Sequence, residues 1–147
     1  MPRLLSWLAI AGLLFYVFAG PAGQRHEPSV DVAADGAGAT AVALAWERQA
    51  SDVQVTGRGE VARILPDDNE GSRHQRFILR LSNGQTLLVA HNIDLAPRIA
   101  GLRVGDEVEF NGEYAWNRQG GVLHWTHRDP RGRHEAGWLK HEGRTYH

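Results

Sequence analysis

The segment LRVGDEVEFNGEY, residues 102–114, decides how the rest of the chain is read. After a Gly105-Asp106 turn, Glu107, Glu109, Asn111 and Glu113 alternate with Val108, Phe110, Gly112 and Tyr114. Period two over this length specifies a half-buried strand with a wet and a dry side. The same period recurs four times. Residues 53–65 form a long first strand, with a bulge expected at Gly57 and Gly59. Residues 75–81 pair through Ser82-Asn83-Gly84 with residues 86–91 as a hairpin. Residues 121–127 return after the NRQGG turn as the fifth strand. Between the third and fourth strands, IDLAPRIAGL is a short helix or turn interrupted by Pro97. Three strands, a short helix and two strands, with a coiling first strand, predict a mainly β chain in the order of a five-stranded OB-like barrel.

Outward from these strands, the 147 residues divide into three parts. Residues 1–22, MPRLLSWLAIAGLLFYVFAGPA, carry one arginine, an apolar run and then small residues, the pattern of a secretory signal peptide. Left uncleaved, the run over residues 4–20 would reach about 25 Å as a helix, short of a bilayer core of roughly 30 Å. The chain is therefore expected to be exported, either periplasmic or anchored at the membrane and facing the periplasm, with membrane contact through this segment alone. Residues 23–39 are rich in Gly, Ala and Pro and read as a flexible linker. Residues 40–147 form a single domain that opens with a short helix, capped by Thr40 and burying Val42 and Trp46 on one face. Cysteine is absent, which excludes disulfides and thiolate metal sites. A net charge of -1 argues against a general polyanion binder.

Alternation then assigns directions. In the fifth strand Leu123 and Trp125 face inward, and His127 with them, while His124 and Thr126 face outward. Leu87, Val89 and His91 face inward on the third strand, and Gln75, Phe77 and Leu79 on the second. In OB order the end of strand three, the end of strand five and the start of strand two meet at one mouth. Gln75, His91 and His127 should converge there, joined by Asp67, Asp68 and His74 from the loop after strand one and by Asn92, Asp94, Asp106 and Asp129.

Imidazoles with carboxylates suit zinc or manganese, which activate water or polarise a phosphoryl oxygen. His74, His91 and His127 are the candidate catalytic groups, with His91, His127, Asp67 and Asp129 as metal ligands. The plainer account is that these histidines satisfy backbone groups where strands leave the sheet. Arg76 grips an oxyanion or is a solvated outward arginine. His124 with Thr126 makes an H-x-T pattern without the second copy that a two-histidine phosphoesterase needs. Trp116, in the AWNRQGG turn, is either a stacking platform or a core side chain.

With H-Q-x-F at 74–77, A-H-N-I at 90–93, G-E-Y-x-W-N at 112–117 and H-W-T-H-x-D-P at 124–130 in place, the chain resembles a bacterial family of exported proteins, domain of unknown function 3465. The similarity runs over residues 53–146. It implies a single OB-like domain defined by its histidine-bearing segments, and it supplies no activity. Two functions are carried forward. The first is a metal-dependent phosphodiesterase or nuclease-like hydrolase, with nucleic acid or another phosphodiester as substrate. The alternative is a non-catalytic periplasmic module that binds an oligosaccharide, an oligonucleotide or an envelope protein partner across strands two and three, through Arg76, Arg80 and Trp116.

Overall fold

In a computed structural model, residues 32–147 are described; the expected leader at 1–22 and most of the expected linker lie outside them. Helix α1 (Val32–Glu47) is followed by strands β1 (Val53–Asp68), β2 (His74–Arg80), β3 (Thr86–Asn92), β4 (Glu107–Ala115), β5 (Val122–His124), β6 (Trp138–His141) and β7 (Arg144–Tyr146). Strand β4 alternates as its sequence requires, with Val108, Phe110 and Tyr114 fully buried.

The strands hydrogen-bond in the order β1-β2-β3-β5-β4, and β4 returns to β1, so five strands form a closed ring. Closure is possible because β1 serves two partners. Its first half pairs with β4 and its second half with β2, and Glu60 stands opposite both Glu107 and Arg80. The chain is small and mainly β, in the order expected of a barrel-like OB fold. The register shifts in β1 lie between Val61 and Arg63 and between Leu65 and Asp68, beyond the glycines where a bulge was expected. Gly57 and Gly59 instead allow close approach: a Cβ on Gly59 would meet the Arg80 carbonyl oxygen at 2.9 Å.

Four further differences from the sequence reading have physical causes. The helix starts at Val32, so residues 32–39 of the expected linker are helical, and Thr40 is no cap: its hydroxyl donates to the Gly36 carbonyl at 2.7 Å. The helix buries Ala39, Val42 and Ala45, while Trp46 stays 40% exposed. Gly38 touches β1 so closely that a Cβ would come within 2.6 Å of both Gly57 Cα and the Thr56 oxygen. The expected helix between β3 and β4 is absent; residues 93–106 run as turns, held by Gln75, whose amide donates to the Ile99 carbonyl (3.0 Å) and accepts from the Ile99 amide (2.9 Å). Strand β5 stops at His124, three residues early. Finally, β6 pairs with β4 along the edge that β5 leaves open, and β7 pairs with β6.

Candidate functional site

Trp125 decides the geometry. It has φ = 53°, the left-handed region that an L side chain with a bulky ring rarely adopts. That single residue ends β5 and resets the alternation. Thr126, expected outward, is fully buried, and Trp125, expected inward, is half-exposed. His124, Trp125 and His127 thereby line one hollow together with Ser72 and His74 from the start of β2 and Ala90 and Asn92 from the end of β3. Its volume is about 230 Å³. Among the described residues no carboxylate lines it.

Beneath this groove His91 is completely buried. Its Nε2 donates to the Pro97 carbonyl at 3.0 Å, which fixes the tautomer, and its Nδ1 therefore accepts from the Thr126 hydroxyl at 2.8 Å. Burial pushes its pKa down to about 4, the Pro97 bond opposing and the nearby charges of His127 and His74 adding. His91 is thus a neutral strut with both nitrogens engaged. It ties the end of β3 to the turn after β5 and to the 93–106 connection.

His127 is 2% exposed, and its Nδ1 donates to the Arg128 carbonyl at 2.7 Å, leaving Nε2 as the acceptor nitrogen of the neutral ring. The His124 Nε2 lies 3.6 Å from Glu113 Oε1. Burial holds its pKa below the usual imidazole value despite the attraction of Glu113 and Asp52. A further imidazole, unforeseen in the sequence, completes the arrangement. His134 stacks at 4.0 Å between ring centroids on Trp125 and meets His127 edge-on at 5.4 Å. Trp125 therefore sits among His124, His127 and His134.

The carboxylates expected at this mouth are engaged elsewhere. Asp129 organises the DPRGRH loop: its side chain is 4% exposed and accepts from the backbone amides of Arg131 (2.9 Å), Arg133 and His134 (3.0 Å). Burial works against its charge, but those three amides outweigh it and hold the carboxyl below the ordinary aspartate value. Asp67 pairs with Arg98. Asp94 accepts from the Arg73 backbone amide (2.8 Å) and guanidinium (2.7 Å), which lowers its pKa. Asp106 binds the Arg103 amide and the His141 ring instead. Asp68 turns back onto the Glu70 amide. Among the described residues no three His, Asp or Glu side chains are disposed to hold a metal ion. Arg76 is half-buried on the outer side of β2 and donates to the Pro66 carbonyl at 3.0 Å. Trp116 packs against the core.

The structure therefore brings His74, His127, His124 and Asn92 to one groove and leaves His91 and Gln75 beneath the surface as fasteners. Trp125 was misplaced because period two was carried past the residue that breaks it, and His134 was missed because it lies in the loop beyond the expected strand. The signal available was the Asp-Pro with Gly132 just downstream, which marks a tight loop immediately after the strand.

A family model described as a protein of unknown function (DUF3465) matches residues 28–147, so the likeness extends through the whole of α1 as well as the strands. No curated protein matches the chain.

Proposed function

The chain belongs to the DUF3465 family, and we propose that it is a non-catalytic binding module whose outer β2-β3-β5 face takes a phosphate-bearing ligand. The observation that carries this reading is the composition of that face. The outward positions are His74, Arg76, Ile78 and Arg80 on β2, Thr86, Leu88, Ala90 and Asn92 on β3, and Val122 and His124 on β5, with no acid among them. Imidazole N–H groups, the Asn92 amide and guanidinium forks are donors that an oxyanion accepts from. Acids begin only at the margins, with Glu113 beside His124, Asp68 opposite His74 and Glu60 opposite Arg80. A hydrolase reading has less support, because His91 has no free nitrogen and Asp67 and Asp129 are already engaged. We place this work in the periplasm, reached through the N-terminal segment.

The test is fluorescence anisotropy of a labelled short single-stranded oligonucleotide, with inorganic phosphate as competitor. Arg76→Ala with Arg80→Ala, and separately His74→Ala with His124→Ala, should each weaken binding about tenfold or more, with a strong dependence on salt. Displacement by phosphate alone would indicate a small-anion site, and no displacement a nucleic-acid chain. Binding unchanged in both variants, or turnover of a phosphodiester upon addition of zinc or manganese, overturns the proposal.

A further inference from the structure

A second, larger hollow lies away from the imidazoles, where the C-terminal turn of α1 meets the β2–β3 hairpin and the β4–β5 loop. Its volume is about 580 Å³, within the range of roughly 300–1,000 Å³ usual for small-molecule sites. Each pair of its walls is fastened by a bond of its own. The Trp46 indole N–H donates to the Asn117 carbonyl (3.1 Å), joining helix to loop. The Asn83 amide donates to the Ala39 carbonyl (3.3 Å), joining hairpin to helix. The Leu88 amide donates to the Gly121 carbonyl (3.2 Å), joining hairpin strand to loop. Asn117 Oδ1 further stiffens the loop by accepting from the amides of Gln119 and Gly121. The hollow is preformed, and no induced closure is needed to shape it.

The lining has a distinctive chemistry. Trp46 is 40% exposed and held at its polar edge, so the rest of the indole is a fixed apolar wall. Around it stand Glu47, Gln85, Thr86, Arg118 and Gln119, whose side chains make no hydrogen bond or ion pair with other described residues. One acid and one base cancel, so a phosphate chain gains no net attraction here. Among the described residues its apolar side chains are Trp46 and Ala43, too few for the hydrophobic stripe of a docking helix. What such a wall does match is a ring with a C–H face to lie on an indole and hydroxyls around its rim to pair with amides, a carboxylate and a guanidinium. We propose that this hollow is a saccharide-binding site for one or two neutral sugar rings, separate from the imidazole groove.

Proton–nitrogen correlation spectra of the full chain, titrated with cellobiose, N,N′-diacetylchitobiose and maltose, test this. One of these sugars should shift the Trp46 indole N–H and the amides of Gln85, Gln119 and their neighbours, leaving His74 and His124 unmoved. Trp46→Ala should weaken that binding at least about tenfold. Because Trp46→Ala also removes a fastener, the double variant Gln85→Ala with Gln119→Ala, which leaves every wall bond in place, should still weaken it several-fold. The proposal fails if no sugar shifts these resonances up to about 20 mM, where even a site with Kd near 1 mM would be filled. It also fails if the double variant binds unchanged, or if a short oligonucleotide moves the same resonances at lower concentration than any sugar does.

Discussion

At the scale of the residue, His91 has the clearest consequences. Its ring connects the Thr126 hydroxyl and the Pro97 carbonyl in a fully buried setting. Removing it leaves both groups without a partner, so His91→Ala should cost about 2–4 kcal/mol and lower the melting temperature accordingly. The pH dependence follows from its depressed pKa. The unfolded chain titrates near 6.5 and the folded ring near 4, so between these values the unfolded state holds more protons. The stabilisation is complete above about pH 6.5 and is lost as pH falls toward 4, by on the order of 3 kcal/mol. His91→Gln, which cannot titrate there, should flatten that slope in urea denaturation measured between pH 7 and 4. His91 facing inward was legible from alternation with Leu87 and Val89. What alternation did not reveal is that it meets Thr126, because that pairing depends on the backbone reversal at Trp125, and nothing in the composition of HWTH marks which residue turns left-handed.

At the scale of the element, β6 is placed by the end of β5. Both lie on the same edge of β4: β5 covers residues 113–115 and β6 covers 108–111. Gly137, at the entry to β6, donates its amide to the His127 carbonyl at 2.9 Å. A Cβ there would strike the carbonyl oxygen of Trp125, and would lie 2.7 Å from that of Asn111. Gly137→Ala must therefore push β6 off the turn or push the turn into the groove. It should destabilise the fold by about 2 kcal/mol or more and broaden the ring-proton signals of His124 and His127. The β6–β7 hairpin escaped the sequence reading because its strands have only four and three residues. Its turn was visible in principle: Glu142 and Gly143 have φ of 48° and 76°, the two positive values that a tight hairpin loop demands. The helix was misjudged for the opposite reason. Its glycines argue for a linker, yet Gly38 is required because Gly57 and Thr56 leave no space for a side chain.

At the scale of the whole molecule, the order of the five ring strands was readable because each of their connections carries its own turn signal and each strand its own alternation. The grouping of functional side chains was only half readable, since it depends on where alternation fails. The ring is unevenly joined. Strands β1 and β4 share eight residue pairs, whereas β3 and β5 share two, Leu88 with Val122 and Val89 with Leu123. The latter is the clasp of the bracelet: a short parallel junction that forms only after distant parts of the chain have met. Amide hydrogen exchange should find its bonds opening well before those of the β1–β4 ladder, with the β2–β3 hairpin protected in between. His124 lies one residue beyond Leu123 on one jaw of this clasp, and Ala90 and Asn92 lie just past Val89 on the other. A guest lodged between them would hold the jaws together, so occupancy and slowed exchange at Leu88 and Val89 should rise in step.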